Sequence, residues 1–187
     1  GTLVIHHDAE VNGLAIRDAG FEQLRAKRPE MPSLEEYLDL ARGRCFLNLE
    51  IKRADPAALA RALSSFEADC LLVSSFSLEI LRGLREAAPG LALGLLPDSL
   101  IRNSEAADAA AAEGFRVILP FELLATRHLV ERAHRHGLKV VAWTVNLAPA
   151  LDLLLERGAD GIITDRYPAM REHLAGRGIT AVDSPLG

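Results

Sequence analysis

Short apolar runs alternate along this chain with longer stretches in which apolar residues recur at helical spacing. Strands are predicted at Thr2 to His6, Cys45 to Lys52, Cys70 to Ser75, Leu91 to Leu95, Phe115 to Leu119, Lys139 to Thr144 and Gly161 to Thr164. Helices are predicted between them at Ser33 to Arg42, Pro56 to Phe66, Leu78 to Ala87, Ser104 to Glu113, Thr126 to His136 and Ala148 to Arg157. The punctuation agrees with these limits. Ser33 with Glu36 makes a capping box, Pro56 after Asp55 is a first-turn proline, and Gly137 and Gly158 stand where left-handed caps are needed. A run such as Leu138-Lys139-Val140-Val141-Ala142-Trp143 suits a parallel strand covered on both faces. Right-handed crossovers would join such strands, in either a doubly wound open sheet or a (β/α)8 barrel. No GxGxxG or GxxxxGK[ST] follows the first strand, which removes the usual phosphate-loop support for the open sheet. A barrel takes about 250 residues. Only six strand-helix units follow the opening strand, so the expectation is an α/β chain forming a TIM barrel incomplete at its N-terminus, with about two strands missing.

Composition narrows the picture. Of the 187 residues 49% are hydrophobic and 25% charged, enough for one sizeable core and unlike a disordered chain, and no linker divides residues 1–187 into two domains. The net charge of -5, with no basic face, argues against nucleic acid as a partner. No apolar run approaches the roughly 20 residues of a membrane-spanning helix. The chain opens Gly1-Thr2-Leu3-Val4-Ile5 without a signal peptide, which favours the cytoplasm, and without an initiator Met, which suggests a cut N-terminus. Cys45 and Cys70 have no CxxC spacing and read as buried, reduced thiols.

Three places could carry chemistry. In Leu47-Asn48-Leu49-Glu50-Ile51-Lys52, Asn48, Glu50 and Lys52 share one strand face while Leu49 and Ile51 take the other. In a barrel the polar face points inward, and active sites lie at the C-terminal strand ends. Glu50 and Lys52 therefore form either an interior salt bridge or a place for a metal and a phosphate oxygen. The sequence Ile5-His6-His7-Asp8 sets two imidazoles on opposite faces, so one of them can serve a site as acid or base. The single tryptophan, Trp143, ends another strand, where it either stacks on a substrate or fills the barrel mouth. His134 and His136 read as surface residues, and Asp165 reads chiefly as a helix N-cap before Arg166, Tyr167 and Pro168.

With these residues in place, the chain resembles the glycerophosphodiester phosphodiesterase family of metal-dependent (β/α)8 enzymes. Four segments carry the likeness: Val4-Ile5-His6-His7-Asp8-Ala9-Glu10-Val11, Leu47-Asn48-Leu49-Glu50-Ile51-Lys52, Trp143-Thr144-Val145-Asn146 and Asp160-Gly161-Ile162-Ile163-Thr164-Asp165. The resemblance implies that His7 is catalytic, with His6 replacing it if the register shifts by one residue. It implies that Glu50 is a metal ligand and Lys52 a phosphate contact. Ser74-Ser75-Phe76 also resembles a family element near the substrate, so Phe76 and Trp143 are implied contacts for the alcohol part of a small-molecule glycerophosphodiester.

The implied reaction is hydrolysis to an alcohol and glycerol 3-phosphate, placing the chain in lipid and glycerol metabolism. A Mg²⁺ or Ca²⁺ ion held by hard oxygen ligands would polarise the phosphoryl oxygens. The family's His-Arg-Gly strand and Glu-x-Asp strand have no counterpart in this sequence. The expectation is therefore that this chain alone is inactive, while the complete protein is a phosphoric diester hydrolase. The alternative is a catalytically incomplete barrel remnant that binds a phosphorylated ligand or a partner. The short segment from Ala9 to Pro32 argues against a large cap domain.

Overall fold

The computed structural model describes residues 1–98, 100–182, 184 and 186. A short hairpin, β1 (Glu10–Val11) with β2 (Leu14–Ala15), is followed by helix α1 (Phe21–Lys27) and helix α2 (Leu34–Ala41). Strand and helix then alternate as β3 (Leu47–Glu50), α3 (Pro56–Leu63), β4 (Leu71–Ser75), α4 (Leu78–Ala87), β5 (Ala92–Leu95) and α5 (Leu100–Ala112). They continue as β6 (Val117–Ile118), α6 (Arg127–Arg135), β7 (Lys139–Ala142), α7 (Ala148–Arg157), β8 (Gly161–Ile162) and α8 (Tyr167–Gly176). From β3 to β8 the six strands pair in sequence order and in parallel, each with the next. That order, with a helix after every strand, is an arc of a (β/α)8 barrel, as the strand spacing predicts.

Side-chain alternation sorts the strands into two cores. Leu47, Leu49, Leu71, Val73, Leu93, Ile118 and Val140 pack outward among the helices, whereas Leu72, Ala92, Val117, Leu119 and Val141 pack together on the lumen side. Gly94 belongs to the crowded inner face: a Cβ there would lie 2.5 Å from Leu119 Cδ1. Outside the sheet, Gly83 admits a close helix contact, since a Cβ would meet the Pro56 ring at 2.6 Å.

The helix limits follow the local signals. Ser33 caps α2 by accepting from the Glu36 N–H while the Glu36 carboxylate accepts from the Ser33 N–H. Asp55 and Pro56 start α3, and Gly158 ends α7 at φ 86°. Three predictions need correction. The segment Thr2 to His6 is not a barrel strand: it makes one antiparallel bridge, Val4 to Ser33, flanked by hydrogen bonds from Ile5 N to Pro32 O and from Leu34 N to Leu3 O. Leu3 and Ile5 still face the main core, while Val4 faces a small separate one with Val11, Leu24 and Met31, so the period-two pattern is real although the pairing partner is a loop. Cys45 and Cys70 are free but exposed rather than buried, because both precede the first buried residue of their strands. Asp165 does not cap α8: the N-cap is Arg166, with no side-chain hydrogen bond, and the Asp165 carboxylate instead accepts from Asn146 Nδ2 at 3.0 Å.

Ion pairs clamp the outer helices. Asp108 on α5 accepts from Arg132 Nε on α6 at 2.9 Å and pairs with His136 Nε2 at 2.8 Å. The Arg132 guanidinium first, and the His136 ring second, hold its carboxyl at about 2, down from 3.8. Since the folded value lies below the unfolded one, this clamp stabilises the fold at neutral pH, and its contribution drains away as the pH falls from about 4 toward about 2. Melting curves followed by circular dichroism should therefore show Tm dropping more steeply below about pH 4 in the natural chain than in Asp108→Asn. Parallel Tm profiles for the two proteins would detach the clamp from acid stability.

Candidate active site at the C-terminal strand ends

The polar face of β3 emerges at the mouth of the arc. Leu47 and Leu49 are buried, whereas Asn48 and Glu50 point into the open lumen and are exposed. Asn48 is fixed by the neighbouring strand, its Oδ1 accepting from Ser74 Oγ at 2.9 Å. The register pairs Glu50 with Ser74, the Ile51 N–H donates to the Ser74 carbonyl at 2.7 Å, and Ser75 Oγ donates to the Ile51 carbonyl at 2.6 Å. These bonds anchor the end of β3 as far as Ile51, after which the chain bends at Lys52 and Arg53. Lys52 Nζ lies 3.8 Å from Glu50 Oε1, with both side chains open to solvent. At that separation and exposure the pair contributes little to stability, in the range of about 0–1 kcal/mol.

In the His6-His7-Asp8 segment the Asp8 carboxyl is held below its ordinary range, chiefly by His7, whose Nδ1 is 2.8 Å from Asp8 Oδ1, with the Lys52 charge the smallest contributor. An ionised carboxylate only accepts, so Nδ1 carries the proton and Nε2 of a neutral His7 ring is left as the basic nitrogen. His6 is arranged differently. Arg28 Nη1 donates to His6 Nδ1 at 3.3 Å, and His6 Nε2 donates to the Glu10 carbonyl at 3.1 Å. Both nitrogens of His6 are thus used to hold the loop.

Across the mouth, three aromatic rings meet. Trp143, just past β7, is anchored by its own Nε1–H donating to the Leu119 carbonyl at 2.8 Å and by its backbone N–H donating to the Pro120 carbonyl at 3.0 Å. Its peptide bond to Thr144 is cis. Phe76, just past β4, stands at 89° to the indole with centroids 5.9 Å apart, and Phe121, past β6, stands at 65° and 5.4 Å. Phe121 was not singled out in the sequence. The signal available was positional, an aromatic residue immediately after Leu119-Pro120 at a strand end, matching the placement of Phe76 and Trp143. The loop after Trp143 is tied to the end of β8: Thr164 Oγ1 and the Asp165 N–H both donate to Asn146 Oδ1, at 3.0 and 2.9 Å.

Among the described residues, no three His, Cys, Asp or Glu side chains gather to hold a metal ion. Glu50 supplies a single carboxylate, and its nearest charged neighbour is a cation. A cavity of about 460 Å³ lies deeper in the lumen, lined by Phe46, Asn48, Leu72, Leu119 and Val141 and bordered by the tail from Ile179 to Val182. It is mainly apolar and does not include Glu50 or Lys52. The candidate chemistry is accordingly at the rim above it. His134 and His136, read as surface residues, are exposed and engaged with Asp160 and Asp108. Among the described residues no helix is long and apolar enough to cross a membrane.

The profile of the glycerophosphoryl diester phosphodiesterase family matches residues 36–169, a span that holds Glu50, Lys52, Phe76 and Trp143 but not His7. A glycerophosphodiester phosphodiesterase from Caldanaerobacter subterraneus subsp. tengcongensis is 28% identical over 190 residues, covering 88% of this chain and 77% of that protein. A Silicibacter pomeroyi structure assigned to the same class is 27% identical with a TM-score of 0.70, and the match takes in 81% of this chain but only 59% of the length of that one. An Oleispira antarctica phosphodiesterase, solved in complex with its product sn-glycerol-3-phosphate, shares the fold at a TM-score of 0.78 and 21% identity, over 92% of this chain and 79% of that one.

Proposed function

Because this chain belongs to the glycerophosphoryl diester phosphodiesterase family, we propose that it serves hydrolysis of glycerophosphodiesters to an alcohol and glycerol 3-phosphate. The observation that carries this reading is the Glu50–Lys52 pair on the lumen face at the C-terminal end of β3, and we assign the carboxylate-backed imidazole, His7 on Asp8, to the same site. In the reaction the phosphorus–oxygen bond to the alcohol breaks. Water supplies the hydroxyl that ends on phosphorus and the proton that ends on the departing alkoxide. Asp8 keeps the His7 proton on Nδ1, so Nε2 is the atom that exchanges a proton with the reacting oxygens. Lys52 sets a point charge against a phosphoryl oxygen, where negative charge grows in the transition state. Phe76 and Trp143 would take the alcohol part.

Dependence on Mg²⁺ or Ca²⁺ belongs to the same proposal, with Glu50 as one oxygen ligand; when bound, the ion would neutralise phosphoryl charge. The described residues do not fit it by themselves, since one carboxylate is far short of the six to eight oxygens such an ion takes. The roles assigned to this chain are therefore those of its own imidazole, carboxylates and ammonium. The test is direct. Purified protein is incubated with glycerophosphocholine, with and without Mg²⁺ or Ca²⁺, and glycerol 3-phosphate is measured by a coupled dehydrogenase assay. Release of glycerol 3-phosphate matched by free choline is the expected result for the complete protein, with little or none from residues 1–187 alone. Saturable binding of glycerol 3-phosphate with no release by the complete protein would make it a binding protein instead.

A further inference from the structure

We infer that the C-terminal tail, from Ile179 to Leu186, is an internal strap that covers the open edge of β8 and keeps it from pairing with a second copy of this chain. This goes beyond the proposed hydrolysis and does not depend on it. Among the described residues the sheet runs from β3 to β8, so β8 has a strand neighbour, β7, on one side only. An edge of this kind presents unpaired N–H and C=O groups and is a template for another strand. Because β3 ends the sheet on its other side, an uncovered β8 has the β3 edge of another copy as a ready partner. The cavity of about 460 Å³ follows the β8 edge, and every residue from Ala159 to Thr164 lines it. Leu72, Leu119 and Val141 wall it on the lumen side, and Leu154 of α7 and Met170 of α8 on the helix side. The tail contributes a further wall, with each residue from Ile179 to Val182 and with Ser184.

Local chemistry aims the tail this way. Gly178, at φ 73°, ends α8 in the left-handed turn that glycine favours; its N–H donates to the Ala175 carbonyl and the Ile179 N–H donates to the Leu174 carbonyl, both at 3.0 Å. This pair of bonds turns the chain back over the end of α8, and Ile179 and Leu174 then line the same cavity. Farther on, Leu186 packs against the lumen cluster that includes Leu72, Leu119 and Val141, so the tail passes from the helix layer into the lumen. Side chains hold it there, since among the described residues no strand pairs with the free edge of β8. A cover that makes apolar contacts without completing the ladder can lift while β7 and β8 stay paired. Its sequence suits a strap that must not recruit a further strand, for Asp183 adds a charge and Pro185 lacks an N–H, the residue types that blunt sheet edges.

Leu186→Asp in the full chain sets a carboxylate against an apolar lumen and should release the tail. Binding of anilinonaphthalene sulfonate, a dye that reports exposed apolar surface, should rise by about 3-fold or more over the natural chain. Sedimentation velocity should show the average mass climbing with protein concentration as uncovered β8 edges find partners. Gly178→Val strains the turn at φ 73° without touching the lumen, and should raise both readings to a smaller extent. Leu153→Asp, on the exposed side of α7 and outside the cavity lining, is the control and should change neither. A synthetic peptide of residues 179–187, added in excess to the Leu186→Asp chain, should return dye binding and mass to the natural values, whereas the same peptide carrying Leu186→Asp should not. Unchanged dye binding or unchanged sedimentation in both tail variants, with circular dichroism showing the natural fold, would overturn the inference. An equal response in Leu153→Asp would overturn it as well.

Discussion

Replacing His7 by alanine should lower kcat by about 10²- to 10⁴-fold in any preparation that releases glycerol 3-phosphate, the range expected for loss of a proton-transferring side chain. The fold should be untouched. The His7 side chain is 84% exposed, so its removal opens no cavity and breaks only the bond to Asp8. Free imidazole added to His7→Ala should restore part of the rate, because the missing function is a basic nitrogen in an open mouth. His6→Ala is the control. That ring is spent on Arg28 and the Glu10 carbonyl, so its loss should loosen the loop and cost less than about 10-fold. A fully active His7→Ala beside an inactive His6→Ala would exchange the roles of the two histidines. Asp8→Asn should fall between them, since an amide no longer compels Nδ1 to carry the proton.

How much of this was legible in the sequence depends on the range of the interactions involved. Alternation along Leu47 to Lys52 was enough to assign Asn48 and Glu50 to the lumen and Leu49 to the helices, because strand faces follow from a local period. The capping box at Ser33 is likewise local and stands as read. By contrast, Thr2 to His6 has a strand's pattern without a strand's partner, and only the chain's route back past Pro32 shows that. Asp165 carries a good N-cap residue type, yet Asn146 from the preceding loop captures it, a contact 19 positions away. Helix α1 is only 7 residues long and offers one fully buried position, Leu24, too little for a periodic signal. Helix α8 begins where an N-cap at Asp165 implies a helix, but its cap falls one residue later on Arg166, whose side chain makes no capping hydrogen bond. Phe121 follows a strand of 2 residues, so no period could direct its ring toward Trp143. Trp143 stands out in the sequence as the single tryptophan at a strand end and Phe76 through the family resemblance, and the fold alone brings them into contact across the ends of β5 and β6.

The Glu50–Lys52 pair separates a structural account of this site from a functional one. If the two charges exist only to satisfy each other, removing either should change stability slightly and catalysis not at all, because an exposed pair at 3.8 Å is worth no more than about 1 kcal/mol. The functional account predicts the opposite division. Lys52→Met should leave Tm within a few degrees of the natural protein while lowering kcat/KM by about 10²- to 10³-fold, the loss expected when one group aimed at developing charge is removed. Glu50→Gln should match it in kcat and also lose any Mg²⁺ or Ca²⁺ response seen by calorimetry, since an amide oxygen lacks the charge that draws a hard cation. The double variant decides the matter. Were the residues a private ion pair, the second substitution would cost nothing further, whereas separate roles for a carboxylate and an ammonium make the losses in kcat/KM multiply. Full activity in Glu50→Gln would remove Glu50, and the metal assignment with it, from the site. The reason to expect otherwise lies in the fold: Ser74 and Ser75 spend three hydrogen bonds fixing Asn48 and Ile51 at the end of β3, and the pair presented there contributes little to stability.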